Sequence, residues 1–383
     1  MDDLLVVGGG PVGLATALHA ARAGLSVSVL ERRKGLVDKA CGEGLMPSAV
    51  AELHELGVGE AIARDGMPLT GIAYVSGRHR VEAPFSRGPG LGVRRTRLAA
   101  VLTDAVARAG IRTHHGTAVE VRRDDHGVVV VQREGVDSTD HAEDTEHTEH
   151  TEHTEYTVYT EHTARYVVAA DGLHSPVRHL LGLDAPPARP REGARHGLRR
   201  HVRVAPWTSR VEVHWGALAE AYVTPVGPDE VGVAVLTRER LPLDDLLVGF
   251  PELAARLAGA PATSTPRGAG GLRQGSTRRV AGRVLLVGDA SGYVDALTGE
   301  GIALGLAQAR AAVEAIAAGD PAAYERSWRR LTRRPDALTA GLLRVTRPAW
   351  GRRALVPAAA TAPWVFRGVV DALAGARTDL VTR

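Results

Sequence analysis

The stretch Gly8-Gly9-Gly10-Pro11-Val12-Gly13 constrains this chain most, because it joins a continuous apolar run over residues 3–7 to a small-residue helical pattern over 12–23. In such a strand–turn–helix Gly8 permits the tight turn, Gly10 lets the backbone approach a pyrophosphate, and Gly13 lets helix and strand lie close together. The helix start adds free N–H groups and a partial positive charge facing the anion. Gly24 closes the helix, and residues 26–30 read as a second strand ending at Glu31. A carboxylate at that distance from the glycines suits the hydroxyls of a ribose. The β-α-β order implies a parallel sheet that binds a dinucleotide.

The glycines alone do not separate nicotinamide from flavin dinucleotides. Val284-Leu285-Leu286-Val287-Gly288-Asp289-Ala290 reads as a buried strand ending in Gly-Asp, followed by Leu297-Thr298-Gly299-Glu300-Gly301-Ile302 and a helix over 303–318. A carboxylate there suits ribityl hydroxyls, and the helix start suits negative charge on a reduced flavin. Val167-Val168-Ala169-Ala170-Asp171-Gly172 is a third motif, again a strand ending in an Asp-Gly turn.

Together the three motifs resemble the para-hydroxybenzoate hydroxylase superfamily of FAD enzymes, which includes aromatic hydroxylases and geranylgeranyl-reductase-like flavoproteins. The resemblance covers nearly the whole chain and implies that Gly8, Gly10, Gly13, Glu31, Arg95, Asp171 and Asp289 lie at or near FAD. Arg95 fits the family's arginine–leucine helix through Leu98 and Leu102. Pro11, Val12, Arg32, Val119, Gly172, Gly288, Gly299, Gly301 and Ile302 complete the implied cofactor set. Two segments look more like the reductase-like branch, namely Asp38-Lys39-Ala40-Cys41-Gly42-Glu43-Gly44-Leu45 and Thr298-Gly299-Glu300-Gly301-Ile302. The hydroxylases usually carry a histidine and prolines after Gly-Asp-Ala, where this chain has Gly292, Asp295 and Ala296. The overall pattern is similar to bacterial FAD-dependent monooxygenases associated with type III polyketide synthases.

Away from these motifs the periodicity changes. Short alternating strands at 70–75 and 79–83, at 211–215 and at 231–236 do not belong to a βαβ run and suggest a second, antiparallel unit. The expected architecture is therefore α/β: a Rossmann-type FAD-binding domain with a second antiparallel β-sheet substrate domain and C-terminal helices. Residues 1–68, 92–185 and 276–340 are assigned to the first, 69–91 and 186–275 to the second, and 341–383 to the C-terminal helical segment. A low-complexity tract over 137–163, with Thr-Glu-His triplets ending at His147, His150, His153 and His162, reads as an expanded hairpin tip. A period of three puts successive histidines of an extended chain on opposite faces, so no row of metal ligands is expected.

Composition excludes several classes. Nearly all basic residues are arginines, with Lys34 and Lys39 the only lysines, and they are not gathered into a basic block, so no nucleic-acid partner is expected. Cys41 is the single cysteine, which rules out an intrachain disulfide and suggests a reducing compartment. The N-terminus lacks a signal-peptide pattern and no apolar run would span a bilayer, so the expectation is a cytoplasmic protein without stable membrane insertion. No His-Glu-x-x-His pattern or nucleophile elbow is present.

On the substrate side Cys41 has two readings, a contact to flavin or substrate as the resemblance implies, or a small buried hydrophobe. His214 and Tyr222 lie on strand-like segments; His214 is either a general base for a phenol or an exposed strand position. The reaction implied by the resemblance is hydroxylation of an aromatic or polyketide-type substrate, with NAD(P)H as transient co-substrate and O2 reacting through a flavin C4a-hydroperoxide. The alternative is reduction of C=C bonds in a prenyl or polyene substrate. The expected partner in both cases is a small hydrophobic organic molecule.

Overall fold

A computed structural model describes residues 1–36, 38–123, 126–134, 158–186 and 194–374. Strand Asp2–Val7 runs into helix Pro11–Arg22 and on to strand Val27–Glu31, as the opening motif requires. The two strands pair in parallel, and strand Tyr159–Ala169 pairs in parallel on the other side of Asp2–Val7. Val284–Leu286 and Arg112–His115 extend the parallel sheet on either flank. The central strands Asp2–Val7, Val27–Glu31 and Val284–Leu286 are largely apolar on both faces because helices cover one side and a β-hairpin region covers the other, whereas the edge strand Arg112–His115 is polar and mostly exposed.

The strand Tyr159–Ala169 belongs to two ladders. Residues 159–164 pair antiparallel with Val128–Arg133, and residues from Ala164 onward pair in parallel with the first strand. The polar repeat therefore does not end in a loop at Thr163. Thr160, Glu161, His162 and Thr163 are ladder residues, with His162 Nε2 hydrogen-bonded to Gln132 Oε1 at 2.9 Å and its ring against His114. The other three triplets lie outside the described residues.

The second sheet has seven strands, in the order Arg267–Ala269, His196–Arg203, Glu230–Thr237, Ala219–Gly227, Arg210–Trp215, Gly71–Ser76 and His79–Pro84. It is antiparallel except for one pair, Arg210–Trp215 with Gly71–Ser76, which runs parallel and departs from the all-antiparallel expectation. The reason is topological: Gly71–Ser76 arrives from the first unit and Arg210–Trp215 from across the same sheet, so no hairpin joins them. The outer face is sealed by Leu243, Leu246, Leu247, Phe250 and Leu253 against Val223, Val231 and Val233. The inner face, with Ile72, Tyr74, Val213 and Tyr222, turns toward the first unit.

Three helices finish the described chain: Ala323–Thr346, Ala349–Thr361 and Pro363–Ala374. The first is continuous through residues 340 and 341, so the expected start of a separate C-terminal segment falls inside a helix. Its buried Tyr324, Trp328 and Leu331 join the core of the first unit. Phe366, Val370 and Leu373, at i, i+4 and i+7, pack instead onto the inner face of the second sheet.

Candidate cofactor and substrate cavity

The glycine turn is built almost entirely from backbone. Gly8 has φ +112°, and a side chain there would meet the Ala170 carbonyl oxygen at 2.4 Å. A Cβ on Gly13 would lie 1.8 Å from the Gly8 oxygen, so this position must be bare for the helix to sit on the turn. Gly10 differs: nothing lies within 4 Å of its Cβ position, and it caps the helix without a side chain, leaving the turn open to a ligand. Glu31 Oε2 accepts a hydrogen bond from Gly9 N at 2.5 Å and Oε1 one from Arg33 N at 3.1 Å, which fixes the carboxylate beside the turn.

From this turn a cavity of about 1240 Å³ runs between the two sheets. Single-ligand sites usually span roughly 300–1,000 Å³, so this one has room for a cofactor and a second molecule. Gly8, Gly10, Pro11, Val12, Glu31, Arg32, Arg95, Asp171, Gly172, Gly288, Asp289, Gly299, Gly301 and Ile302 all line it, as do Cys41 and Tyr222. Gly13 does not, in keeping with its packing role.

Two expected site residues are elsewhere. On the strand Thr117–Arg123, Thr117 and Ala118 line the cavity, and Val119, the next residue, does not. His214 is neither a base in the cavity nor an exposed strand position. Val211 and Val213 take the cavity face, so His214 lies buried on the opposite face, its Nε2 3.2 Å from Glu212 Oε2. Burial opposes ionisation of Glu212, but hydrogen bonds from His214, Trp207 and Arg80 bring its pKa down to about 2.

The other two motifs pack beside the glycine turn. Asp171 Oδ2 accepts from Val177 N at 3.0 Å, while its buried Oδ1 has no partner among the described residues. Burial raises the Asp171 carboxyl. Gly288 has φ +59° and its N–H donates to Gln308 Oε1 at 2.7 Å, holding the Gly-Asp turn against helix Gly301–Ala317. A Cβ on Gly305 of that helix would lie 2.4 Å from Val12 Cγ2, so the bare position lets the second helix pack onto the first. Asp289 is raised by burial and countered by nearby Arg95 and Lys39. Arg178 ties the two Asp motifs together: it donates to Ala290 O and Leu173 O at 3.1 Å each and to Asp184 Oδ1 at 2.7 Å. None of the three motifs includes Arg178, although its place seven residues after Asp171, in the short helix Pro176–Leu180 that follows the Asp-Gly turn, is a usable signal.

A strap over residues 38–44 crosses the cavity between the sheets. Glu43 is the only non-glycine residue with positive φ among the described residues, at 57°. Such a conformation costs roughly 1–3 kcal/mol and needs external support. Three groups supply it: Arg95 N donates to Glu43 Oε1 at 2.8 Å, His201 Nε2 lies 2.5 Å from Oε2, and Arg199 binds Asp38 and the Lys39 carbonyl. These partners come from strand His196–Arg203 and helix Arg95–Arg108, far from the strap in sequence. The strap thereby presents Cys41 on the cavity wall, with its Sγ accepting from Glu43 N at 3.3 Å. Burial raises the thiol above its ordinary value, so it faces the cavity as a neutral group.

At the far end the wall is apolar. Ile72, Val213, Leu236, Leu355, Phe366 and Leu373 face one another there, and the C-terminal helices close that end. Tyr222 projects from the second sheet and donates its hydroxyl to Leu297 O at 2.9 Å; burial pushes that hydroxyl well above its usual range, so it stays protonated. Among the described residues no group of three or more His, Cys, Asp or Glu side chains could hold a metal ion.

The residues present fit a flavin dinucleotide: an open glycine turn at a helix start, a carboxylate beside it, and a second Gly-Asp turn facing a second helix start. Residues 2–194 match the family model described as FAD binding domain. The chain belongs to this FAD-binding family of oxidoreductases. Menaquinone reductase of Mycobacterium tuberculosis is 32% identical over 345 residues, covering 83% of this chain and 77% of that protein. Protoasukamycin 4-monooxygenase of Streptomyces nodosus subsp. asukaensis is 30% identical over 365 residues, covering 84% and 82%. Among solved structures, p-nitrophenol 4-monooxygenase from Pseudomonas putida superposes with a TM-score of 0.75 at 20% identity over 99% of both chains, which supports the fold. The protein is an FAD-dependent oxidoreductase with relatives among both reductases and monooxygenases.

Proposed function

We propose that this oxidoreductase is a monooxygenase that hydroxylates an electron-rich ring carried on an apolar molecule, with NAD(P)H as transient reductant and O2 as oxidant. The observation that carries this reading is the division of one cavity into a polar half, lined by Gly10, Glu31, Arg95 and Asp289, and an apolar half under the C-terminal helices. Bound FAD supplies the redox chemistry, and the chain supplies position, dryness and electrostatics. Gly10 and Glu31 would hold the pyrophosphate and ribose, and Asp289 the ribityl hydroxyls. Leu355, Phe366 and Leu373 would keep water from the reacting ring.

Glu300 contributes by being neutral. It stands at the start of helix Gly301–Ala317, where burial, opposed by a hydrogen bond to Thr298 and reinforced by Asp336, pushes its pKa to about 8. A protonated Glu300 leaves that helix start without a fixed negative charge, so its dipole is free to stabilise an anion in the cavity. The ring would be oriented by contact with Tyr222, and neither Tyr222 nor Cys41 is ionised to act as a base. A substrate activated by its own ring substituents fits such a wall better than one that needs a protein base. Protoasukamycin 4-monooxygenase, whose similarity extends over most of both chains, supports hydroxylation.

A second reading, reduction of a C=C bond in a prenyl or polyene substrate, is favoured by the Cys41 strap and by the similarity to menaquinone reductase. Turnover with isotopically heavy O2 and a panel of alkyl-substituted phenols and prenylated quinones separates the two. Hydroxylation predicts label in the product and oxygen uptake matched to NAD(P)H oxidation. Unlabelled product formed anaerobically with a gain of two hydrogens would overturn it.

A further inference from the structure

We propose that the C-terminal helices Ala349–Thr361 and Pro363–Ala374 form a docking surface for a bilayer containing anionic lipid, placed over the apolar end of the cavity. The proposal is independent of which reaction the site performs. Five of the thirteen exposed large apolar side chains among the described residues fall between positions 345 and 369. Trp350 is 71% exposed and Trp364 75%, whereas Trp207, Trp215 and Trp328 are wholly or partly buried. A tryptophan left in water on a helix is costly, and at a membrane interface its amphipathic ring is favoured.

The face is also connected to the site. Val365 and Val369 are exposed to solvent and line the cavity, and Phe366 and Val370 of the same helix lie inside it. The cavity wall thus turns outward into the apolar surface.

Charge decides the occupant. Residues 344–374 contain Arg344, Arg347, Arg352, Arg353 and Arg367 against one acid, Asp371. Arg352 is engaged by Glu220, but the other four are exposed and make no ion pair among the described residues. A second copy of the chain would set these arginines against their own kind. An anionic lipid surface would complement them while the tryptophans and valines enter the interface, the pattern of an interfacial amphipathic helix. No helix among the described residues is long and apolar enough to cross a membrane, so the contact would be peripheral.

Flotation of the FAD-loaded full-length protein with phosphatidylcholine vesicles, with and without phosphatidylglycerol, tests this at low and high salt. Binding is expected to the anionic vesicles and to be largely lost at high salt. The variant R353Q/R367Q should lose roughly 25-fold in partitioning, about fivefold per arginine. W350A/W364A should lose about tenfold or more. Neither tryptophan lines the cavity, so flavin content and turnover of a detergent-dispersed substrate should be unchanged in W350A/W364A. Absence of vesicle binding by the wild type, equal binding to neutral vesicles, or full binding by both variants would overturn the proposal. So would concentration-dependent self-association that the tryptophan substitutions abolish, which would assign the face to a second copy.

Discussion

The two ends of the cavity are built on different principles. At the glycine turn, function comes from backbone: Gly8 and Gly13 are where a side chain would collide with main-chain atoms, and Gly10 is where it would block the opening. At the apolar end, function comes from side chains that five separate segments bring together, namely those of Ile72, Val213, Leu236, Leu355 and Phe366. A backbone device tolerates almost no substitution, since peptide groups cannot move aside. A wall of apolar side chains tolerates conservative exchange and responds to bulk.

The sharpest way to break this contrast is Gly13→Val. The added atoms meet the Gly8 oxygen and the Ala170 side chain, so the helix must leave the turn. A loss of more than about 3 kcal/mol in unfolding free energy is expected, with no FAD recovered from the purified protein. A stable, yellow Gly13→Val protein would show that the turn is not the tight backbone device described. Next in size is Glu31→Ala, which removes the carboxylate held by Gly9 N. FAD should bind about 1.5–3 kcal/mol more weakly, read as a rise in Kd of roughly 10- to 150-fold by flavin titration of the apoprotein.

Glu300→Gln sharpens the electrostatic side of the comparison. The folded carboxyl holds its proton to about pH 8, against an ordinary value of 4.5. The folded state therefore binds more protons between these values, and the stability this confers is complete below pH 4.5 and declines as pH rises toward 8. Thermal unfolding of the wild type should show that decline, and Glu300→Gln, neutral at every pH, should flatten it. Identical profiles for the two proteins would mean that Glu300 is ionised in the fold. The smallest effect is expected from His214→Gln. His214 faces away from the cavity, so turnover should change less than about twofold while stability falls by about 1 kcal/mol.

These differences follow what a linear sequence can encode. The glycine turn, Glu31 and the Gly-Asp and Asp-Gly strand ends were legible because each is a local pattern with a local reason: a strand, a turn and a helix start within a few residues. Leu98 and Leu102 likewise marked the face of their helix. His214 was misread because alternation gives two faces without saying which is inside; Val211 and Val213 settle that only once the sheet is docked. Glu43 needed its three partners, Arg95, Arg199 and His201, which lie 52 to 158 residues away. The C-terminal wall was half legible, since Phe366, Val370 and Leu373 carry helical spacing, but nothing local says that their apolar face closes a cavity.

The division of the cavity into a cofactor half and a substrate half is tested most directly by Ala359→Trp. Ala359 lines the apolar end on helix Ala349–Thr361, and a tryptophan there fills the space assigned to substrate without reaching Gly10 or Glu31. The purified variant should carry FAD at the wild-type ratio and reduce it at the basal rate, while substrate-stimulated NAD(P)H oxidation falls by about 100-fold. Loss of FAD in step with stimulation, or stimulation as strong as in the wild type, would contradict the account.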